Sequence, residues 1–443
     1  MRELLPVLAA GLVPFAVLVL IVAGTVVSLV AWEPPILRTI EFGTANSDNS
    51  ITAIASDSNG VYAAGYVGYS NVTPTYLFVN RYGIDGHQVW SRHFGDPYLS
   101  QVSSLSVGTD GVYVAGYLSF SSASASSFVA KYDFSGNQLW NSSFFPNRTS
   151  SASSVSSSTS GVYVAGYNGS QYFVKNYDLS GGLSWTRFLG SNQNRISVLA
   201  GSSKFYVAYD NETGGYFVND VGLVQEYGSS STPDWTRLCS CEPMGITGGG
   251  TDLYVFGLAL NSISVPVGFL TKYDLDGNQL WTTQFNPPSS SLAVTGVAEV
   301  RASVDSSGIY VTTTTGDDRG IVLKYDGNGK NVWSLQLPWM TAGSLRTADV
   351  ISVEHGEVFV AGDLRHAATA TGHSAFLAAI SQSSSLVLFG INPPFSFALL
   401  ALLVVVAIVS PIWLRKYWKR RIQRAIADKD NRLKNIPADF FSP

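Results

Sequence analysis

The 443-residue chain offers few side chains whose type and spacing could do chemistry. Asp274-x-Asp276-Gly-Asn278 has the spacing that opens a calcium loop, where oxygens at alternate positions converge on one cation. Its glycine is misplaced for such a loop, and no acid follows at the twelfth position. Asp317-Asp318 and the pair His366 and His373 carry oxygen and imidazole donors, but they fall in loop-like stretches where solvation is the expected state. Cys239 and Cys241 place both sulfurs on one side of an extended segment. A local disulfide, two free thiols and half of a soft-metal site are all compatible with that spacing, and two ligands do not make a zinc site. The sequence has no nucleophile elbow, no HExxH pair and no phosphate-cradling glycine loop. Catalytic, cofactor-binding and metal residues are therefore not assigned, and a non-enzymatic role is the expectation.

Aromatic residues, by contrast, recur with a fixed spacing. A Tyr is followed eight residues later by a Trp at Tyr82/Trp90, Tyr132/Trp140, Tyr177/Trp185, Tyr227/Trp235, Tyr273/Trp281 and Tyr325/Trp333. Ile380 and Leu388 keep the same spacing in a seventh place. A second signal recurs around Tyr62, Tyr113, Tyr163, Tyr206, Tyr254, Tyr310 and Phe359, and copies lie about 43–56 residues apart. That is the length of a four-stranded propeller blade. In the second copy the four strands are read as Val102–Val107 (A), Val112–Tyr117 (B), Phe128–Tyr132 (C) and Gln138–Phe144 (D), with Asp133 to Gly136 as the C–D turn. Tyr113 and Ala115 share one face of strand B, Val112 and Val114 the other, so both faces need covering. A ring of sheets covers both. Each Trp then wedges between blades, removing about 150–250 Å² from water and contributing roughly 4–6 kcal/mol as an upper bound. The expected fold is all-β, a seven-bladed β-propeller over 36–391, in which Trp90, Trp140, Trp185, Trp235, Trp281 and Trp333 are docking residues.

Ring closure has its own signal. Ile36–Phe42 resembles a strand D without a blade, and Leu386–Phe389 reads as a weak strand D at the end of the seventh copy. Ile36–Phe42 is expected to complete blade seven. Short A–B and C–D turns define one face of the ring, and variable B–C and D–A loops the other. Function is expected on the variable face.

Two long apolar runs flank the repeats. Leu4 to Ala31 and Phe395 to Leu414 carry no charge, and at about 1.5 Å rise each is long enough for a bilayer core of about 30 Å. Arg415, Lys416, Lys419, Arg420, Arg421 and Arg424 follow the second. The positive-inside rule puts that tail in the cytoplasm and the ring outside. The expectation is a cell-membrane protein with residues 1–35 as one spanning helix and Pro-Pro joint, 392–414 as another, 415–443 as a basic cytoplasmic tail able to form an amphipathic helix on lipid, and the amino terminus also cytoplasmic. Pro34-Pro35 and Pro393-Pro394 stiffen the joints. The tight-turn face should look toward the membrane.

Charged residues make up 13 % of the chain. Without Arg2, Glu3 and the residues after 414, it holds 17 Lys/Arg and 27 Asp/Glu, a net charge near −10. Such a ring repels phosphate backbones and excludes a nucleic-acid partner. Asn71, Asn141, Asn147, Asn168 and Asn211 head glycosylation sequons. None occurs in blades five to seven, so a protein or glycan partner is expected at the loops 258–267, 314–319, 337–347 and 363–375, which contain Asp317, Asp318, His366 and His373.

The YDxxGNQLW run after an FVAK strand resembles the archaeal and bacterial propeller repeat family often called SBBP, and it is similar to the Trp-docking repeats of quinoprotein-type propellers. The resemblance covers about 36–390 and concerns scaffold residues. It implies a seven-bladed propeller and a surface or secreted module. Quinoprotein enzymes would bring adjacent cysteines and central polar ligands; Cys239-Ser240-Cys241 departs from that. The functional expectation is a membrane-anchored binding or scaffold module. The competing classes are an extracellular propeller enzyme, which would need acids or histidines converging on the central channel, and a sensor signalling through the basic tail.

Overall fold

Seven four-stranded antiparallel blades follow one another in the order of the repeats, blades seven and one being joined by a parallel bridge between Asp48 and His373. The computed structural model describes residues 30–42, 47–69, 72–95, 100–121, 124–190, 195–210, 221–261, 265–286, 297–315, 319–337, 345–354, 356–365, 373–382, 385–388 and 415–427. They belong to two units: Pro34–Ser383, which is the ring, and Met1–Glu33 with Ser384–Pro443.

Blade two illustrates the rest. Its strands are Gln101–Gly108, Gly111–Ser121, Ser124–Tyr132 and Gln138–Arg148, each hydrogen-bonded to the next. Strand B is apolar on both faces because it is buried on both. Val112 and Val114 pack with Trp90, Leu77 and Val79 of blade one, while Tyr113 and Ala115 pack with Val162, Val164 and Phe173 of blade three. The same arrangement repeats, so the core is a circle of inter-blade clusters.

The tryptophans join the blades through polar and apolar contacts together. Each sits at the start of strand D, and five of the six hydrogen-bond the segment that follows strand C in the next blade. Trp90 Nε1 donates to Phe134 O at 3.0 Å, Trp140 to Leu179 O at 3.1 Å, Trp235 to Leu275 O at 3.1 Å, Trp281 to Gly327 O at 3.0 Å and Trp333 to Gln382 O at 3.1 Å. Trp185 packs instead against Tyr163 and Phe205, with ring centroids 6.0 and 5.4 Å apart. The turn glycines complete the fit. Gly181 has φ +93°, and a Cβ there would lie 2.7 Å from the Trp140 ring. The conformation and the close approach both call for glycine.

The innermost strands line a central channel of about 380 Å³. Serine dominates it, for a structural reason. Seven strands A converge, and each would leave edge N–H groups unbonded. Ser104 Oγ accepts from Val155 N at 3.1 Å, Ser154 Oγ from Val198 N at 3.1 Å, and Ser156 Oγ from Ala200 N at 3.0 Å. A small hydroxyl both fits the crowded axis and stitches one blade to the next.

Blade seven has strands Val350–Glu354, Glu357–Arg365 and His373–Ser381, and Ile36–Phe42 supplies its strand D, as the sequence predicts. Two details differ from expectation. Ser385–Leu388 is not a strand D of the seventh copy: it pairs with Val30–Glu33 in a separate two-stranded sheet. Leu388 is therefore not the seventh tryptophan stand-in. Arg38 holds that position, facing Ala379 as Trp90 faces Arg81. The clasp wins because Ile36–Phe42 extends the pairing along Ala375–Ile380, whereas Ser385–Leu388 offers four residues.

The expected spanning runs Leu4–Ala31 and Phe395–Leu414 lie, but for residues 30 and 31, outside the described residues. Among the described residues, no helix is long and apolar enough to cross a membrane. Residues 415–427 do form a helix, exposed along its length.

Candidate functional site

The charged side chains that matter sit at one end of the channel. Strands A start at the D–A loops, so their first residues mark the mouth on the variable-loop face. Four of them, with Asp363 of a neighbouring strand B, gather there. Arg195 precedes strand A of blade four (Ile196–Ala200), Glu299 and Arg301 lie on that of blade six (Val297–Asp305), and Asp349 precedes that of blade seven.

Glu299 is the hub. Its Oε1 accepts from Arg195 at 3.0 Å and from Arg301 at 2.6 Å. Burial would push its carboxyl up, but Arg301 and Arg195 reverse this and hold it below the usual range. The side chains of Glu299 and Arg301 keep 28 % and 30 % exposure while protein surrounds them, so their remaining surface faces channel water.

Asp349 behaves differently. Burial, then the charge of Asp363 and that of Glu299, raise its carboxyl to about 7. Thr347 Oγ1 donates to Asp349 Oδ2 at 2.6 Å, and the Asp363 backbone N–H donates to the same oxygen at 3.2 Å. The mouth thus places one fixed carboxylate with two guanidinium groups beside one carboxyl that exchanges a proton near neutrality. Such a set can hydrogen-bond a polar or charged ligand and can give or take a proton. Among the described residues, no group of three or more His, Cys, Asp or Glu is placed to hold a metal ion.

The sequence carried a signal for this site. In the same register Ala53, Ser104, Ser154, Ser197, Gly245 and Val350 occupy the position of Arg301 in the other blades. An arginine where six copies are small or apolar marks a departure from scaffold.

None of the residues singled out from sequence is among these five. Asp317, Asp318 and His366 fall outside the described residues. His373 begins strand C of blade seven, opposite Arg365. Asp274 and Asn278 make a turn: Asp274 Oδ1 accepts from Asn278 N at 2.8 Å, and Oδ2 from Asn278 Nδ2 at 2.9 Å. Cys239 and Cys241 are joined as a disulfide, Cα atoms 5.2 Å apart, at the step from blade four to blade five. Asn141 is exposed on strand D of blade two. Asn168 is 5 % exposed, and its Oδ1 accepts from Ser170 N and Gln171 N, both at 3.0 Å. Asn147 lies at the end of Gln138–Arg148. Asn71 and Asn211 lie outside the described residues.

No family model matches the chain, and no curated protein sequence matches it significantly. Solved structures do. Raptor from Chaetomium thermophilum is 11 % identical with a TM-score of 0.51, the match covering 80 % of this chain and 30 % of that one. The propeller domain of the Trilobed protease from Pyrococcus furiosus is 10 % identical at 0.47, covering 78 % and 100 %. BamB from Moraxella catarrhalis is 11 % identical at 0.41, covering 79 % and 99 %. At these identities the likeness is one of fold. The chain is a seven-bladed propeller of the repeat type, distant in sequence from its structural neighbours.

Proposed function

We propose that the chain is a membrane-anchored binding module of the cell surface, with its ring outside, both termini in the cytoplasm and its variable-loop face turned to a protein or glycan partner. One observation carries the reading. Ser381 N donates to Pro35 O at 3.0 Å, so the first and last residues of the ring lie side by side on the tight-turn face. The apolar segments joined to those two points, 4–31 and 395–414, are each long enough to span a bilayer. The reading therefore assigns recognition to the opposite face, which carries the charged channel mouth. No cofactor or nucleic acid is required.

The test is expression of the full chain, carbonate extraction of membranes, and purification in mild detergent with and without Arg301→Ala. Retention in the pellet and co-purification of a partner that Arg301→Ala loses support the reading. Extraction into the carbonate supernatant sinks the anchoring.

A second reading, an extracellular propeller enzyme, has its own observation. Glu299, which bonds the channel-lining Arg301, lies near Asp349 and Asp363, and burial with their charges pushes the Asp349 carboxyl up to about 7. Glycan turnover by the purified chain, lost in Asp349→Asn, would favour it.

A further inference from the structure

The outer rim of the ring carries an apolar arc that the scaffold does not need. Where strand D leaves the C–D turn, the pairing with strand C skips one residue, leaving a bulge. In blade one Tyr82 faces Gln88 and Arg81 faces Trp90, so Val89 is extra. By the same count the extra residue is Leu139 in blade two, Ser184 in blade three, Leu280 in blade five, Val332 in blade six and Leu37 in blade seven. Blade four pairs Glu226 directly with Trp235 and has Asp234 before it.

Five of these residues are large, apolar and exposed: Leu37 at 48 %, Val89 at 55 %, Leu139 at 54 %, Leu280 at 51 % and Val332 at 52 %. They belong to blades seven, one, two, five and six, which are contiguous around the ring. Ile84 and Leu275, in the C–D turns of blades one and five, add to the same arc and are also exposed. Blade four interrupts it with Asp234; in blade three the extra residue is Ser184, although Leu183, one register place earlier, is 51 % exposed. Phe188 and Leu238, also exposed, lie at the far ends of their strands.

A bulge on an outermost strand protects that edge from pairing with another chain. Protection needs no apolar side chain, and Ser184 achieves it with a hydroxyl. The apolar choice therefore needs another cause. The middle of the arc is blade seven, where the ring begins at Pro35 and ends at Ser381 on the tight-turn face.

We infer that this arc is the part of the ring that rests in the lipid interface, so that the propeller stands tilted, blades five, six, seven, one and two toward the bilayer and blades three and four lifted from it. The inference rests on the membrane-anchored reading. Exposed apolar side chains at the level of the headgroups gain by leaving water, and a second copy or a soluble partner would have no reason to centre on the anchor points. The carboxylates of Asp133, Asp274 and Asp326 bond backbone N–H groups of their own turns close to this face. Their charge suits a zwitterionic surface better than an anionic one.

The test uses the full chain in phosphatidylcholine vesicles, with single spin labels at Leu37→Cys, Val89→Cys, Leu280→Cys or Val332→Cys, and at Ser184→Cys and Asp234→Cys as internal controls. The native cysteines are already paired. The inference expects oxygen to relax the arc labels more than a water-soluble nickel chelate does, with the reverse order at the two controls. Arc labels that favour the chelate while the chain resists carbonate extraction overturn the inference and leave the anchoring standing. Arc labels shielded from both reagents assign the arc to a protein contact and overturn it too. A chain that carbonate extracts overturns the anchoring and the inference together.

Discussion

Arg38 and Glu357, 319 residues apart in sequence, form an ion pair across the seam that closes the ring. Both belong to blade seven, the only blade assembled from the two ends of the ring unit. Arg38 also takes the tryptophan position there, lying against Gly86 of blade one as Trp90 lies against Gly136 of blade two. Closure is therefore non-covalent. Removing residues 1–33 should leave a ring that unfolds cooperatively, whereas removing 1–42 should strip the outer strand from blade seven and abolish a single transition. Calorimetry of the two truncations decides it: equal melting would show that the clasp is dispensable.

The tryptophan wedges predict a size for single changes. Trp140→Ala deletes a large side chain between blades two and three and one hydrogen bond to Leu179, and it should cost about 3–5 kcal/mol. Gly181→Ala touches the same contact from the other side. It puts a Cβ at a left-handed backbone position, 2.7 Å from the indole, and should cost about 1–3 kcal/mol. The two losses should fall short of adding, because both act on one contact. Urea unfolding of the single and double variants measures this; simple additivity would place the two residues in separate contacts.

Much of the fold could be read from the chain because its punctuation is local. Asp133 and Gly136 bracket a turn, and Trp140 follows at a fixed distance, so period, strand order and turn faces all follow from neighbours in sequence. Arg38 and Leu388 show the limit. Both offer a candidate for the last tryptophan place, and only pairing over a separation of more than three hundred residues decides between them. The channel mouth was harder still. Arg195, Glu299, Arg301, Asp349 and Asp363 come from three blades, and nothing local relates them. Arg301 alone could have been noticed, by aligning strand A of every copy and asking why one is charged.

The raised carboxyl of Asp349 gives a pH signature. An unfolded Asp has its ordinary value of 3.8, and the folded one is pushed up to about 7. The native state therefore holds this proton more tightly. Its contribution to stability is present in full below about pH 4, falls as pH rises from 4 to 7, and is gone above 7. Asp349→Asn cannot ionise, so the difference in melting temperature between the variant and the parent should widen in the variant's favour over that interval. A constant difference from pH 4.5 to 8 would mean that the Asp349 carboxyl is not shifted.

Two sequons should behave differently if the chain is secreted through a pathway that adds N-glycans. The Asn141 side chain is exposed on an outermost strand, whereas Asn168 is buried and its carbonyl oxygen caps a turn. Peptide mapping should find glycan at Asn141 and none at Asn168. Occupancy at Asn168 would require that the turn forms only after modification.

The channel serines make the last prediction, because composition alone would have them interchangeable. Ser154 Oγ accepts from Val198 N at 3.1 Å across the gap between blades three and four, at a position 8 % exposed. Ser154→Ala keeps the volume nearly constant but leaves that N–H facing an apolar methyl, a loss of about 1–3 kcal/mol. Ser158, in the tight A–B turn of the same blade, bonds Ser160 Oγ at 2.8 Å on an exposed surface. Water replaces that bond, so Ser158→Ala should stay within about 0.5 kcal/mol of the parent. Amide exchange at Val198 should accelerate in the first variant and not in the second. If both variants matched the parent in stability and exchange, the serine-rich channel would owe its composition to small size alone, and the stitching between innermost strands would carry no weight in holding the ring.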